Sequence, residues 1–377
     1  MHTVLLLGSG KIGRMIAWLL SRSGDYQVRV ADSDPHMLER VRKQSAVETL
    51  QLDAADSRQL SEAMGGCQSV ISALSFRHNP TVAEAALRAG ASYFDLTEDN
   101  ATARRTAELA AEAREGQIFV PQCGLAPGFI SIVARHLVDW FEEVDSVRMR
   151  VGALPQFPSN ALKYNLTWST DGLINEYCNT CDAIHDSRRI DALPLDGLEH
   201  FSLDGIRYEA FNTSGGLGTL CTALEGRVRE LNYRTIRYVG HRDLMSFLLG
   251  DLRLSERRDL LKDILERSIP VTFQDVVVTF CTVSGWRKGQ LVQLSDARKI
   301  YHQTWEGEIW SAIQITTAAG ICAVLDLHAA GRLPSRGLVR QEQVDFQEFI
   351  ANRFGRHYEQ AEATHFGSPP QPTADGA

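Results

Sequence analysis

The first twenty residues constrain this chain of 377 residues more than any other stretch. Thr3-Val4-Leu5-Leu6-Leu7 is apolar and β-prone. Gly8-Ser9-Gly10-Lys11-Ile12-Gly13 follows at once, and Met15, Ile16, Leu19 and Leu20 then recur at helical spacing. A G-x-G-x-x-G turn between a strand and a helix is the phosphate loop of a dinucleotide-binding βαβ unit. Gly8 would permit the tight turn, Gly10 would let the backbone approach a pyrophosphate, and Gly13 would let the helix pack closely on the strand. Ser9, Lys11 and Ile12 complete the loop, whose helix N-terminus offers free N–H groups to phosphates. The glycines alone would also fit a plain βα turn; the flanking strand and helix carry the reading.

A carboxylate sharpens it. The next β-prone run, Tyr26 to Ala31, ends at Asp32, about 20 residues past the glycines, where an acid can accept hydrogen bonds from an adenosine ribose diol. Asp34 follows, beside Pro35, and reads as a turn acid. Two acids would repel a 2′-phosphate and no neighbouring arginine would hold one, so the expected cofactor is NAD rather than NADP.

The length suits two domains. Net charge is −8 with both signs dispersed, which argues against nucleic-acid binding, since that needs a basic stripe. Thr3 to Leu7 is too short for a secretory leader, and the longest apolar runs are too short to span a bilayer. No membrane contact and a cytoplasmic location are expected. Of seven cysteines, only Cys178 and Cys181 have ligand spacing. No second pair or suitable histidine pair accompanies them, so no metal is expected.

Up to about residue 125, strand-like and helical runs alternate. This predicts a Rossmann-type parallel sheet with helices on both faces, an α/β domain over 1–125. Ligands of such sheets bind beyond the carboxyl ends of the strands, here Gly8, Asp32, Asp53, Leu74, Asp95 and Gln122. Asp53 could border the adenine or merely help start the next helix. Ala73 and Leu74 are small enough, or placed well enough, to let a nicotinamide ribose approach, and equally could be plain packing. Gln122 to Gly128, with Gly124, reads as an interdomain hinge. Residues 126–335 thin out in helices and read as an α+β mixed-sheet domain for substrate and dimer contacts. A helix over 336–357 would return to the first domain, and 358–377 reads as a frayed tail.

Three polar segments of the second half could face substrate. In the run Tyr164 to Gly172, Thr170 or Asp171 can cap a helix, which leaves Asn165 and Trp168 unexplained. In Asn212 to Thr219, the backbone around Thr213, Ser214 and Gly215 could cradle a carboxylate or form only a flexible loop. In Arg237 to Arg242, Arg237 could pair bidentately with a carboxylate, and His241 could move a proton or be structural.

These segments, with Gly8–Gly13, the hinge C-G-L-A-P-G-F-I, the run E-A-F-N-T-S-G-G and the run T-I-R-Y-V-G-H, resemble the saccharopine dehydrogenase-like family, and within it the lysine 6-dehydrogenase branch. The resemblance spans about residues 3 to 355. It implies an NAD-binding domain, a sheet-containing substrate domain with dimer or higher homo-oligomer contacts, and a small amino-acid substrate. It also implies oxidation of the side-chain amine of L-lysine to allysine, which cyclises to piperideine-6-carboxylate with release of ammonia. The chain departs from the family pattern at Thr97-Glu98-Asp99, where glycines are expected, and in the glycine-rich Gly216-Leu217-Gly218. On this reading Glu98 takes the amine proton, Asp95 positions it, His241 activates water, and Arg237 with Thr213–Gly215 holds the α-carboxylate. The rival expectations are saccharopine dehydrogenase or reductase chemistry, whose substrate carries three carboxylates, and a non-catalytic NAD-binding regulatory protein.

Overall fold

A computed structural model describes residues 1–359; from residue 360 onward the expected tail lies outside the described residues. The first sheet begins with β1 (His2–Leu7), β2 (Tyr26–Asp32), β3 (Glu48–Gln51), β4 (Ser69–Ser72), β5 (Ser92–Asp95) and β6 (Ile118–Val120). Every pairing is parallel, in the spatial order β6-β5-β4-β1-β2-β3. The continuous apolar run of β1 follows from burial on both faces. Val4 and Leu6 enter one core, and Leu5 and Leu7 enter the core on the opposite face, as the two-residue period of a strand requires.

The second sheet contains β7 (Glu143–Pro155), β8 (Cys181–His185), β9 (Arg188–Ala192), β10 (Glu199–Leu203), β11 (Ile206–Asn212), β12 (Val228–Tyr238), β13 (Asp275–Arg287) and β14 (Gln290–Tyr301). Its main path runs β10-β11-β12-β7-β13-β14, with β8 and β9 branching from β12. Only β12 and β7 pair in parallel, so the sheet is mixed. The β13–β14 hairpin turns at Lys288-Gly289, and β13 runs through Ser284–Arg287 up to the turn.

After β14 comes a small hairpin, β15 (Gln303–Trp305) with β16 (Glu308–Trp310). Trp305 stacks on Trp18 of the first domain at 5.2 Å, and Arg22 pairs with Glu306 across the same contact. The helix Ala312–Ala329 then crosses the core, capped by a reciprocal Ser311–Gln314 box. It is long and apolar enough to cross a membrane, but 78% of it is buried inside the fold, as expected of a core helix. The strand β17 (Gly337–Leu338) adds to β6 and brings the chain back to the first sheet. Where one helix was expected after residue 336, the chain instead forms β17, a short turn of 3₁₀ helix, the helix Phe346–Ala351 and a last 3₁₀ turn. Val344-Asp345 is extended before Phe346, and Asp345 caps the helix through the Glu348 N–H at 2.8 Å.

Candidate active site

At the amino-terminal loop each glycine meets a different constraint. Gly8 has φ +94°, and a Cβ there would lie 2.8 Å from the Ala73 carbonyl oxygen. A Cβ on Gly13 would lie 1.9 Å from the Gly8 carbonyl oxygen, so the helix Lys11–Arg22 could not seat against β1. A Cβ on Gly10 would meet nothing within 4 Å, which leaves open space for a pyrophosphate. The loop is pinned to β2: Asp32 Oδ2 accepts from both the N–H and the hydroxyl of Ser9 at 2.7 Å, and Oδ1 accepts from the Asp34 N–H at 3.0 Å. A carboxylate has about four acceptor positions, so Asp32 keeps capacity for a ribose hydroxyl. Beside it is a small hollow lined by Asp32, Asp53, Leu74 and His78, with no lysine or arginine. Asp34 caps the following helix through the His36 N–H, and Asp53 holds the Ala55 N–H at 2.9 Å while still lining the hollow. The loop residue Lys11 offers its carbonyl to Gln314 at 2.8 Å, which ties the loop to the core helix. These residues fit a dinucleotide.

From the hollow, Leu74 leads into a cleft of about 1060 Å³ of empty space, part of it open to solvent. One wall comes from the first domain: Ile12, Ala73 to Phe76, Leu96 and Glu98, with Gly124 to Pro127 of the hinge. The other comes from β7 and β12 at Val151–Ala153, Tyr233, Thr235 and Arg237, together with Trp168 and Glu176. Three of the lining side chains are acidic or basic: Glu98, Glu176 and Arg237.

Glu98 is placed by its neighbours. Thr97 and Asp99 are consumed locally: Asp99 caps the helix Asn100–Ala110 through the Thr102 N–H at 2.7 Å, and the Thr97 hydroxyl accepts from the Asp99 N–H. Glu98 between them turns into the cleft. Its backbone sits on the 212–219 loop, where a Cβ on Gly215 would come within 2.5 Å of the Glu98 carbonyl oxygen, and one on Gly216 within 2.3 Å of the Tyr233 ring. The unusual glycines of that loop therefore admit the Glu98 segment and Tyr233. Burial pushes the Glu98 carboxyl up to about 7.

Glu176 lies on the helix Thr170–Cys178, whose cap is Ser169, through the Gly172 N–H at 3.2 Å, rather than Thr170 or Asp171. Asp171 instead pairs with Lys262 at 2.6 Å. Burial raises the Glu176 carboxyl to about 8, opposed by Arg237. The sequence reading missed this residue. Its signal was an acid three residues after Leu173 in the apolar face Leu173-Ile174-Tyr177, where only a satisfied or functional carboxylate can be buried.

Arg237 is 2% exposed. Its Nε donates to the Tyr177 hydroxyl at 2.8 Å and Nη1 to its neighbour's carbonyl, Ile236 O, at 2.8 Å. The guanidinium packs 5.0 Å from the Tyr164 ring. Among the described residues no carboxylate oxygen comes within 4.0 Å of it. A buried, oriented and unpaired guanidinium facing a cleft is an anion receptor.

His241 stands behind this arginine and does not line the cleft. Its Nδ1 faces the Leu162 carbonyl at 2.8 Å and its Nε2 the Tyr177 hydroxyl at 3.0 Å. A carbonyl only accepts, so Nδ1 carries the proton, Nε2 accepts from Tyr177, and Tyr177 accepts from Arg237. Burial and the adjacent Arg237 push the imidazole down to about 3. With both nitrogens engaged away from the cleft, His241 cannot activate water as the sequence reading expected.

Two further expectations change. Asp95 is fully buried and bonds the N–H groups of Thr97 and Gln122 and the Tyr93 hydroxyl at 2.8 to 3.0 Å. It shapes the backbone on either side of the cleft and does not reach into it. The Thr213–Gly215 backbone does not cradle an anion: Ser214 N–H bonds the Glu176 carbonyl, Ser214 Oγ bonds the Asn175 carbonyl, and Gly215 packs on Glu98. Thr213 is buried beside a separate small hollow. The loop thus buttresses both glutamates. Asn165 is buried next to the Tyr164 ring that covers Arg237, but does not line the cleft, whereas Trp168 does.

Residues 4–120 match the model of the saccharopine dehydrogenase NADP binding domain, and residues 124–357 match that of the saccharopine dehydrogenase C-terminal domain. Among solved structures, the chain is similar to an apo saccharopine dehydrogenase (L-Glu forming) from Saccharomyces cerevisiae, with 17% identity and a TM-score of 0.76, covering 95% of this chain and 96% of that one. Weaker matches include a DAP dehydrogenase from C. glutamicum in complex with DAP, at 11% identity, 91% and 93% coverage and TM-score 0.47. Another is a myo-inositol dehydrogenase from Corynebacterium glutamicum ATCC 13032, at 10% identity, 89% and 90% coverage and TM-score 0.46. With both domain models matched in order along nearly the whole described chain, the protein belongs to the saccharopine dehydrogenase family of oxidoreductases, with an amino-terminal pyridine-nucleotide-binding domain.

Proposed function

We propose that the chain oxidises the side-chain amine of L-lysine with NAD, giving allysine, ammonia and NADH. The observation that carries this reading is the charge inventory of the cleft: two buried carboxylates and one arginine. Saccharopine, with three carboxylates, would meet a single cation there. An amino acid with one carboxylate and a side-chain ammonium is better matched to the site, Arg237 taking the carboxylate and Glu98 the ammonium.

Bound NAD supplies the hydride acceptor. Asp32 and the open space at Gly10 would hold its ribose and pyrophosphate, and a hollow at Asp32 lined by no lysine or arginine among the described residues supports NAD over NADP. Free lysine carries its side-chain amine protonated, near pKa 10.4, and hydride loss needs the neutral amine. Glu98, raised to about 7, is matched to accept that proton near neutral pH. The same carboxylate, once deprotonated again, takes a proton from the water that adds to the imine carbon. The balance is lysine, NAD⁺ and water in, and allysine, ammonium, NADH and a proton out. Arg237, Trp168 and Tyr233 orient the substrate so that its amine-bearing carbon faces the nicotinamide side of the cleft.

The test is NADH absorbance with purified protein, NAD⁺ and L-lysine alone, run beside saccharopine and beside NADP⁺. Growth of the signal with lysine and NAD⁺ supports the reading. A signal only with saccharopine replaces it with the rival activity, and no signal with any amino acid tested removes it.

A further inference from the structure

Glu98 and Arg237 account for two of the three ionisable side chains that line the cleft. Glu176 remains. Its residue is 7% exposed, its carboxylate lines the cleft, and among the described residues no hydrogen bond or ion pair satisfies it. Carboxylates are almost never buried unpaired. Its strongest charged neighbour is Arg237, with Glu98 a weaker one, yet the two groups do not close to a salt bridge. The reason is visible: Tyr177 and the Ile236 carbonyl fix the guanidinium, and the Ser214 N–H and hydroxyl bond the Glu176 and Asn175 carbonyls, fixing the helix that carries Glu176. A guanidinium and a carboxylate held apart over the same cavity leave a place whose two ends prefer opposite charges.

We propose that Glu176 is the receptor for the α-ammonium of the substrate, so that Glu176 and Arg237 together bind a zwitterionic α-amino-acid head while Glu98 serves the distal amine. This inference rests on the proposed lysine oxidation and adds its selectivity. The site takes diamino acids, and it discriminates against ω-amino acids that lack the α-amine. Discrimination of this kind comes from the binding site itself, because a substrate lacking the ammonium leaves Glu176 buried and unpaired. Burial of Glu176 raises its carboxyl, and the arriving ammonium would draw it back toward ionisation.

The probe is ε-aminocaproate, which keeps the carboxylate and distal amine of lysine and lacks the α-amine. The unsubstituted enzyme is expected to prefer L-lysine over ε-aminocaproate by about 10-fold to 100-fold in kcat/KM, the range of one charged hydrogen bond. In Glu176→Gln, which keeps size and polarity, that preference is expected to fall to near unity, with the loss in KM for lysine. Equal turnover of both compounds by the unsubstituted enzyme would overturn the proposal, as would an unchanged preference in Glu176→Gln or a loss in kcat alone. If neither compound yields NADH, the lysine reading fails separately. Calorimetry of L-lysine and ε-aminocaproate binding to both proteins then decides the inference by the same comparison.

Discussion

The hydroxyl of Tyr177 accepts the Nε–H of Arg237 at 2.8 Å and donates its own O–H to His241 Nε2 at 3.0 Å. Each bond in this chain has one possible direction, ending on the Leu162 carbonyl. The arginine is thereby aimed, and the histidine acts through it as a positioning residue. Tyr177→Phe removes the central link. The expected outcome is a KM for lysine raised about 10-fold, as for loss of a hydrogen bond to a charged group, with a smaller change in kcat. His241→Gln should show a milder effect of the same kind, and the pH profile should not lose a limb, because the imidazole, pushed down to about 3, stays neutral over the working range. Steady-state kinetics on both variants, with circular dichroism to verify folding, checks this.

Glu98 should set the acid limb of activity. Its carboxyl is raised to about 7, and the base is the ionised form. At subsaturating lysine, kcat/KM is therefore expected to rise with pH through an apparent midpoint near 7. Glu98→Gln should reduce kcat by about 100-fold or more, the usual share of a general base. NAD affinity, read by fluorescence titration, should change little, since Asp32 lines the hollow on the other side of Leu74, which Glu98 does not reach.

Stability should move with pH in the opposite sense to activity. Glu176 carries a folded-state value of about 8 against an ordinary 4.5. Between those values the folded chain holds a proton that the unfolded chain has released, so stability falls as pH rises from about 5 to about 8. Glu98 adds to the same trend up to about 7. Thermal melting of the ligand-free protein across that window should show the decline, and Glu176→Gln should flatten part of it. An unchanged slope in the variant would contradict the burial assigned to this carboxylate.

The loop glycines make a steric prediction. Gly13→Ala places a methyl carbon 1.9 Å from the Gly8 carbonyl oxygen, so the helix must move off β1. The expected outcome is loss of NAD binding by at least about 10-fold together with a lower melting temperature, since overpacking costs about 1–3 kcal/mol. Gly10→Ala meets no atom within 4 Å in the protein and should fold normally while weakening NAD through the pyrophosphate contact alone.

The first domain was legible because its signals are local. Val4 to Leu7, the glycines and Asp32 fall within thirty-two residues and need only their own strand, turn and helix. The second domain was legible as a sheet but not in its details. Strand β9 is exposed and polar, and β8 and β10 are only five residues each, too short for a hydrophobic period to mark them. The cleft was half legible. Glu98 and Arg237 stand beside strand ends, where a reader looks. Glu176 is on a helix that reaches the cleft only through tertiary packing on the 212–219 loop. His241 looked chemical because its sequence neighbours are polar and glycine-bearing. Only the fold reveals that both its nitrogens are spent behind Arg237.

The most direct measurement follows the hydride. L-lysine deuterated only at the carbon bearing the side-chain amine is incubated with the enzyme and NAD⁺, and the reduced cofactor is examined by mass spectrometry. The expected result is one deuterium in the NADH, with a slowed rate if hydride transfer limits turnover. Unlabelled NADH, with label transferred instead from lysine deuterated at the α-carbon, would contradict oxidation of the side-chain amine.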